Sequence, residues 1–281
     1  MMGHGISIRF AIHGFTVFLY GRSKDSLHKA QKRITRTLKL LNDLNVVNSN
    51  ETIDITNKIQ LTTNLNKCIS TSDLIIESIN EDLQDKQILF KEIYDLLTPR
   101  AILTSNTSSL MPKSLFSEIP DKSNVAVTHY INPAVLVPLV EIVKHEETTE
   151  NTISRLTDIL ISTGSKPIIV QKETPGFVTS RLQSALLREA LWLIENNIAS
   201  VSDVDKAISH GLGRRWAAAG IFEILEIAGW DLLSVISENL FPELSKSNTP
   251  KLLKQKVEID EIGIKTKKGF YEWTDESIAA L

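Results

Sequence analysis

Through the first 170 residues, short β-rich runs alternate with stretches of helical period, and this alternation constrains the fold more than any other feature of the chain. Residues 16–20 (TVFLY) are rich in β-formers and follow a turn signal at His13-Gly14. Leu27, Ala30, Ile34, Leu38 and Leu41 then recur at steps of three and four, which is one face of an amphipathic helix. Residues 74–77 (LIIE) are a short continuous apolar run, as expected of a strand buried on both faces. Residues 81–97 read as a helix stopped at Thr98-Pro99, and 101–105 (AILTS) and 125–129 (VAVTH) as two more strands. After residues 140–143 and a helix over 149–163, residues 167–170 carry the last strand signal. Strands separated by helices predict a doubly wound, Rossmann-like parallel sheet in the α/β class. Ligands of such sheets bind at the carboxyl ends of the strands, which sets residues 105–108 and His129 on one functional edge.

Residues 172–176 (Lys-Glu-Thr-Pro-Gly) break the alternation. Beyond them, residues 177–196 place Leu182, Leu186, Ala190 and Leu193 on one helical face, and 201–210 and 221–239 also favour helix. The expected organisation is a dinucleotide-binding domain over residues 1–172 and an all-α substrate and dimerisation domain over 173–281. The long apolar helix faces call for a partner layer, supplied by a second copy in a homodimer or by packing within one chain.

Composition excludes several classes. Apolar residues at 42% and charged residues at 23% describe a globular chain. A net charge of −3 offers no basic field for nucleic acid or for an anionic membrane. The single cysteine, Cys68, rules out a disulfide framework and a multi-thiolate site within one chain, and points to a reducing, cytoplasmic setting. The six histidines show no paired ligand spacing, so no metal is expected. The apolar runs fall far short of the roughly 20 residues of a membrane span, and the first residues do not read as a secretory signal.

The residues that carry chemistry are Ser105-Asn106-Thr107-Ser108-Ser109, His129-Tyr130-Ile131-Asn132-Pro133 and Glu141. Together they supply a base, an orienting carboxylate and a hydroxyl donor. Removing hydride from a carbinol carbon requires its hydroxyl proton to leave, and a free imidazole titrates near neutrality. A carboxylate on the other ring nitrogen fixes the tautomer and stabilises the imidazolium.

In these motifs the chain resembles the 3-hydroxyacyl-CoA dehydrogenase family over nearly its whole length. The family's Ser-Asn-Thr-Ser-Ser element stands at 105–109, its His-x-x-Asn-Pro element at 129–133, and Glu141 follows at the family's spacing. Pro175-Gly176-Phe177 opens the family's second domain, and Gly263-Ile264-Lys265-Thr266 with Gly269-Phe270-Tyr271 closes it. The resemblance implies reversible, NAD-dependent oxidation of a (3S)-3-hydroxyacyl-CoA, with His129 as base, Glu141 as its partner and Ser108 bonding the substrate oxygen. It sets Gly3, Glu81, Lys86, Asn106 and Asn132 against the cofactor, with Glu81 and Lys86 lining the cofactor and the cleft.

Three departures matter. The family continues Pro-Gly-Phe-x-x-Asn-Arg, with the Asn helping to bind the reacting oxygen. Here Ser180 takes that place, and it reaches less far than an amide. The strand ending at Tyr20 is followed by Gly21-Arg22-Ser23-Lys24, with no acid for the adenosine ribose. Arg22 suits a 2′-phosphate, which makes it a candidate cofactor residue and sets NADP beside NAD; a role for Arg22 and Lys24 in capping the following helix is the alternative. Last, Met1-Met2-Gly3-His4-Gly5 aligns with the end of a Gly-x-Gly-x-x-Gly loop, so the first strand and first two glycines are expected to be missing from a truncated N-terminus. That strand is central in such sheets, and its loss would expose two strand edges.

The run Gly211-Leu212-Gly213-Arg214-Arg215-Trp216-Ala217 looks more like relatives acting on small hydroxy acids, the carnitine and gulonate dehydrogenases. Arg214 and Arg215 suit a carboxylate, and Trp216 or Trp230 a quaternary ammonium; a helix junction or dimer contact would use the same residues. A dehydrogenase of a small free hydroxy acid, and an inactive truncated paralogue acting as a binding protein, are the alternatives.

Overall fold

The computed structural model describes residues 2–280; Met1, which begins the glycine-loop comparison, lies outside the described residues. The chain divides into two compact units after Arg181. The first comprises, in order, α1 (Gly3–Ile12), β1 (Val17–Tyr20), α2 (Lys24–Asp43), α3 (Ser49–Lys58), β2 (Ile59–Thr62), α4 (Leu65–Ile69), β3 (Leu74–Glu77), α5 (Leu83–Tyr94), β4 (Ile102–Ser105), α6 (Pro112–Leu115), β5 (Val125–Tyr130), β6 (Leu139–Lys144), α7 (Glu150–Ser162) and β7 (Lys166–Val170).

Helix starts follow local chemistry. Ser23 and Ser26 form a reciprocal capping box on α2, Asn48 and Glu51 another on α3, and Thr149 accepts from the Thr152 N–H on α7. On α2 the predicted stripe buries Ile34, Leu38 and Leu41. The sequence pattern did not show α1, because residues 5–11 are all buried and leave no polar face to mark a period. It did not show α3 either, whose only buried residue is Ile55.

Strands β3, β4 and β5 are parallel, as are β6 and β7, but β5 and β6 are antiparallel. The sheet is Rossmann-like as expected, and its antiparallel pair β5–β6 arises because residues 131–138 contain no helix to carry the chain back across the sheet. Strands β1 and β2 form a separate parallel pair. Among the described residues no strand lies between β1 and β3, and a cavity of about 800 Å³ runs along both. The core fills both faces of the five-stranded sheet, with Phe90, Leu103, Phe116 and Val127 in one cluster and Phe10, Ile102, Ile142 and Leu156 in another.

The second unit is helical. After α8 (Thr179–Glu195), which begins in the first unit, come α9 (Val201–Lys206), α10 (Gly213–Ala218), α11 (Ile221–Glu226), α12 (Trp230–Leu240), α13 (Lys251–Glu258) and α14 (Asp275–Ala280). The single helix expected over 221–239 is two, parted at Gly229, whose φ of 85° suits glycine. Residues 263–272 fold back through bridges Gly263↔Lys268 and Lys268↔Glu272, and the Tyr271 hydroxyl donates to Asp205 at 2.6 Å. No described helix is long and apolar enough to cross a membrane.

Candidate active site

His129 lies near the end of β5, directly opposite Glu141 on β6. Its Nδ1 is 2.6 Å from Oε2 of Glu141, and the carboxylate is fully buried. The other oxygen, Oε1, accepts the backbone N–H groups of Val178 and Thr179, each at 2.9 Å. Burial alone would raise the Glu141 carboxyl; the His129 bond and the two backbone donors outweigh it and hold the group below the ordinary range. With Nδ1 on the carboxylate, Nε2 is the ring atom left to exchange a proton with a ligand.

The turn that brings the two N–H groups to Glu141 is held by Gly176 (φ 78°) and Phe177 (φ 50°). The Phe177 ring is buried and tilted against the His129 ring, with centroids 5.8 Å apart. The stretch after Pro175 therefore both caps the carboxylate and walls the imidazole.

At the neighbouring strand ends, residues 105–109 are tied to two carboxylates. Ser105 Oγ donates to Glu77 Oε2 at 2.5 Å, and Lys86 Nζ donates to both Glu77 oxygens at 2.7 and 2.8 Å. Glu81 Oε1 accepts from the Thr107 hydroxyl, from Ser109 Oγ at 3.0 Å and from the Ser108 N–H at 3.1 Å. Burial opposes ionisation of Glu81, yet these bonds and the nearby Lys86 hold its carboxyl below the ordinary range. Asn106 donates its N–H to the Glu77 carbonyl at 2.8 Å and accepts from the Tyr130 N–H at 2.8 Å, locking the end of β4 to its neighbours on both sides.

The structure thus brings His129 and Glu141 into contact and sets Ser180 one residue beyond Thr179, in the first turn of α8. Ser108 is exposed, and its hydroxyl has no hydrogen-bond partner among the described residues. Asn132 is exposed, before a cis peptide bond to Pro133. Lys86 departs from the expectation that it lines the cleft. Its side chain is 1% exposed, enclosed by Glu77 and, at 3.5 Å, Glu81, because a buried ammonium needs paired charge. Glu77, Phe177 and the Val178 and Thr179 N–H groups were not singled out from sequence. A carboxylate ending the apolar run 74–77 was the one available signal for Glu77.

At the carboxyl ends of β1 and β3 the 800 Å³ cavity is lined by Gly3, Arg22 and Ser23. Among the described residues no side chain caps α1, the arrangement in which helix N–H groups take a pyrophosphate. Arg22 is exposed there. These residues fit a dinucleotide.

Two family models match the chain: "3-hydroxyacyl-CoA dehydrogenase, NAD binding domain" over residues 1–174 and "3-hydroxyacyl-CoA dehydrogenase, C-terminal domain" over 176–273. The cofactor is NAD. The chain is 28% identical over 281 residues to 5-formyl-3-hydroxy-2-methylpyridine 4-carboxylate 5-dehydrogenase of Mesorhizobium japonicum, covering 100% of this chain and 90% of that protein. It is 32% identical over 283 residues to human mitochondrial hydroxyacyl-coenzyme A dehydrogenase, covering 97% and 88%. A solved structure of the pyridine-carboxylic acid dehydrogenase, described as an NAD+ dependent dismutase, superposes with a TM-score of 0.91 at 28% identity, over 99% of this chain and 90% of that one. The chain belongs to the 3-hydroxyacyl-CoA dehydrogenase family.

Proposed function

We propose that the chain oxidises a (3S)-3-hydroxyacyl-CoA to the 3-oxoacyl-CoA, reversibly, at the edge formed by Ser108, His129, Glu141 and Ser180. The observation that carries this reading is the buried His129–Glu141 pair, whose carboxylate is fixed by two backbone donors. Bound NAD supplies a hydride acceptor. His129 takes the hydroxyl proton on Nε2, and Glu141 stabilises the resulting imidazolium without moving. Ser108, with its free hydroxyl, and Ser180 are the donors to the reacting oxygen. In the reverse direction His129 returns the proton. Gly3, Arg22, Asn106 and Asn132 are assigned to the cofactor, with Glu81 and Lys86 shaping the loop beside it.

Acetoacetyl-CoA-dependent oxidation of NADH and of NADPH by the full chain tests the proposal. Turnover supports it; silence with both cofactors overturns it. A second reading, a small free hydroxy acid as substrate, is favoured by the likeness to an enzyme named for a pyridine carboxylate and by Arg214 and Arg215, exposed and without side-chain partners among the described residues. Turnover of such an acid with none of the thioester would support it.

A homodimer through the second unit is part of the proposal. Phe222 and Trp230 are 72% and 47% exposed with ring centroids 6.2 Å apart, apolar surface that a second copy would cover. Light scattering at a two-chain mass is the expected result.

A further inference from the structure

Arg9 is a charged side chain in the core. It projects from α1, a helix whose residues 5–11 are all buried, and is itself 5% exposed. Among the described residues no carboxylate pairs with its guanidinium. The group that acts on it is the buried Tyr130 phenol, whose hydroxyl has no hydrogen-bond partner and which burial pushes above its ordinary range. That phenol stays neutral and supplies no counter-charge. A buried cation without a counter-ion is costly, and a leucine or methionine would fill the position without that cost. What places the guanidinium is therefore what it binds.

Its partners are main-chain carbonyls. Nε donates to Ala134 O at 2.6 Å, Nη2 to Val137 O at 2.8 Å and Nη1 to Thr163 O at 3.3 Å. Ala134 and Val137 belong to the helix-free link 131–138 that joins β5 to β6, and no backbone N–H among the described residues donates to either carbonyl. Within the link, the Leu136 and Val137 N–H groups turn back on Pro133 O, both at 2.9 Å. Arg9 thus supplies the partners that the link lacks. One turn earlier on the same face of α1, a Cβ on Gly5 would be 3.6 Å from Ala134 Cβ, so the helix lies directly on the link. The link runs from just after His129 to just before Glu141 and carries Asn132.

We propose that Arg9 is a positioning residue for hydride transfer: it holds the link that carries Asn132, and that joins the strand of His129 to the strand of Glu141, against the helix whose N-terminus is assigned to the cofactor. This role rests on the dehydrogenase reading above. Cofactor at the start of α1 and base on β5 then keep one separation, set by a planar three-point clamp in place of secondary structure within the link. Lysine at this position would keep the charge but bring a single nitrogen to carbonyls that Arg9 reaches with three.

The test compares Arg9→Met and Arg9→Lys in the full chain with a control, Ile119→Ala, in the core cluster of Phe90 and Phe116. Amide hydrogen exchange without ligand is expected to quicken at Leu136 and Val137 about tenfold or more in Arg9→Met beyond any change in the control, and less in Arg9→Lys. With 3-hydroxybutyryl-CoA deuterated at C3, the isotope effect on kcat is expected to rise in Arg9→Met, because misplaced partners slow the hydride step itself. A smaller folded fraction lowers kcat and leaves the isotope effect unchanged. NADH affinity, read by fluorescence, is expected to fall about tenfold. Either of these last two changes, absent from the control, supports the role. No quickening at the two amides, or quickening with isotope effect and NADH affinity both at wild-type values, overturns it. Silence of the wild type on the thioester would refute the proposed substrate and leave NADH affinity to decide: a fall in Arg9→Met supports the clamp, and an unchanged or absent affinity overturns it.

Discussion

His129 and Glu141 face each other across the antiparallel pair β5–β6, with Nδ1 2.6 Å from Oε2. Fold and chemistry are coupled through that register. A one-residue slip of β6 would turn Glu141 to the opposite face and leave both the imidazole and two backbone N–H groups without their carboxylate.

Replacing Glu141→Gln keeps the shape and one carbonyl oxygen. If that oxygen stays on the Val178 and Thr179 N–H groups, the amide NH2 points at Nδ1 and favours the tautomer with the proton on Nε2, the wrong state for a base. The expected loss in kcat is about 10²- to 10⁴-fold with little change in KM. Steady-state kinetics of 3-hydroxybutyryl-CoA oxidation check it, and a fall confined to KM would count against the orienting role.

Lys86 is a structural cation in this site. Lys86→Met leaves Glu77 buried beside Ser105 with no compensating charge, at a cost of about 3–5 kcal/mol in stability. Urea unfolding measures this. A loss below about 1 kcal/mol would show that the charge pair is not what holds the loop.

Much of this was legible in the sequence, and the gaps have physical reasons. The run 74–77 is continuously apolar and the stripe Ile34, Leu38, Leu41 carries a helical period that burial enforces, so β3 and the core face of α2 follow from pattern alone. Helix α1 did not follow, since a segment buried all round has no polar face. The motif residues His129 and Glu141 announced a pair, but the antiparallel register that joins them depends on the helix-free link between their strands. Phe177 was legible only as the end of the Pro175-Gly176-Phe177 motif that opens the second domain; its place against the imidazole needed the ring geometry.

Acid should destabilise the first unit through Glu81 and Glu141. For both, burial raises the carboxyl but the hydrogen bonds outweigh it, so each folded value lies below the ordinary 4.5. Between 4.5 and the folded values the unfolded chain binds more protons, so stability falls as the pH drops through that window and is fully present above it. The urea midpoint should be level above about pH 6 and decline below about pH 5. In Glu81→Gln the decline should be shallower; an unchanged slope would remove Glu81 from the account.

Phe177 couples packing to the base. Its ring is fully buried against His129, and its backbone, at φ 50°, shapes the turn that delivers Val178 and Thr179 to Glu141. Phe177→Ala removes the ring and leaves a cavity, an expected loss of about 3–5 kcal/mol. Phe177→Gly empties the same space but relieves the left-handed backbone, so it should be less destabilising than alanine by about 1 kcal/mol. Thermal and urea unfolding of the two variants separate the contributions: glycine above alanine locates strain in the turn, whereas alanine at or above glycine would mean that only the ring matters. In either variant the imidazole loses its wall, and kcat should fall further than KM rises.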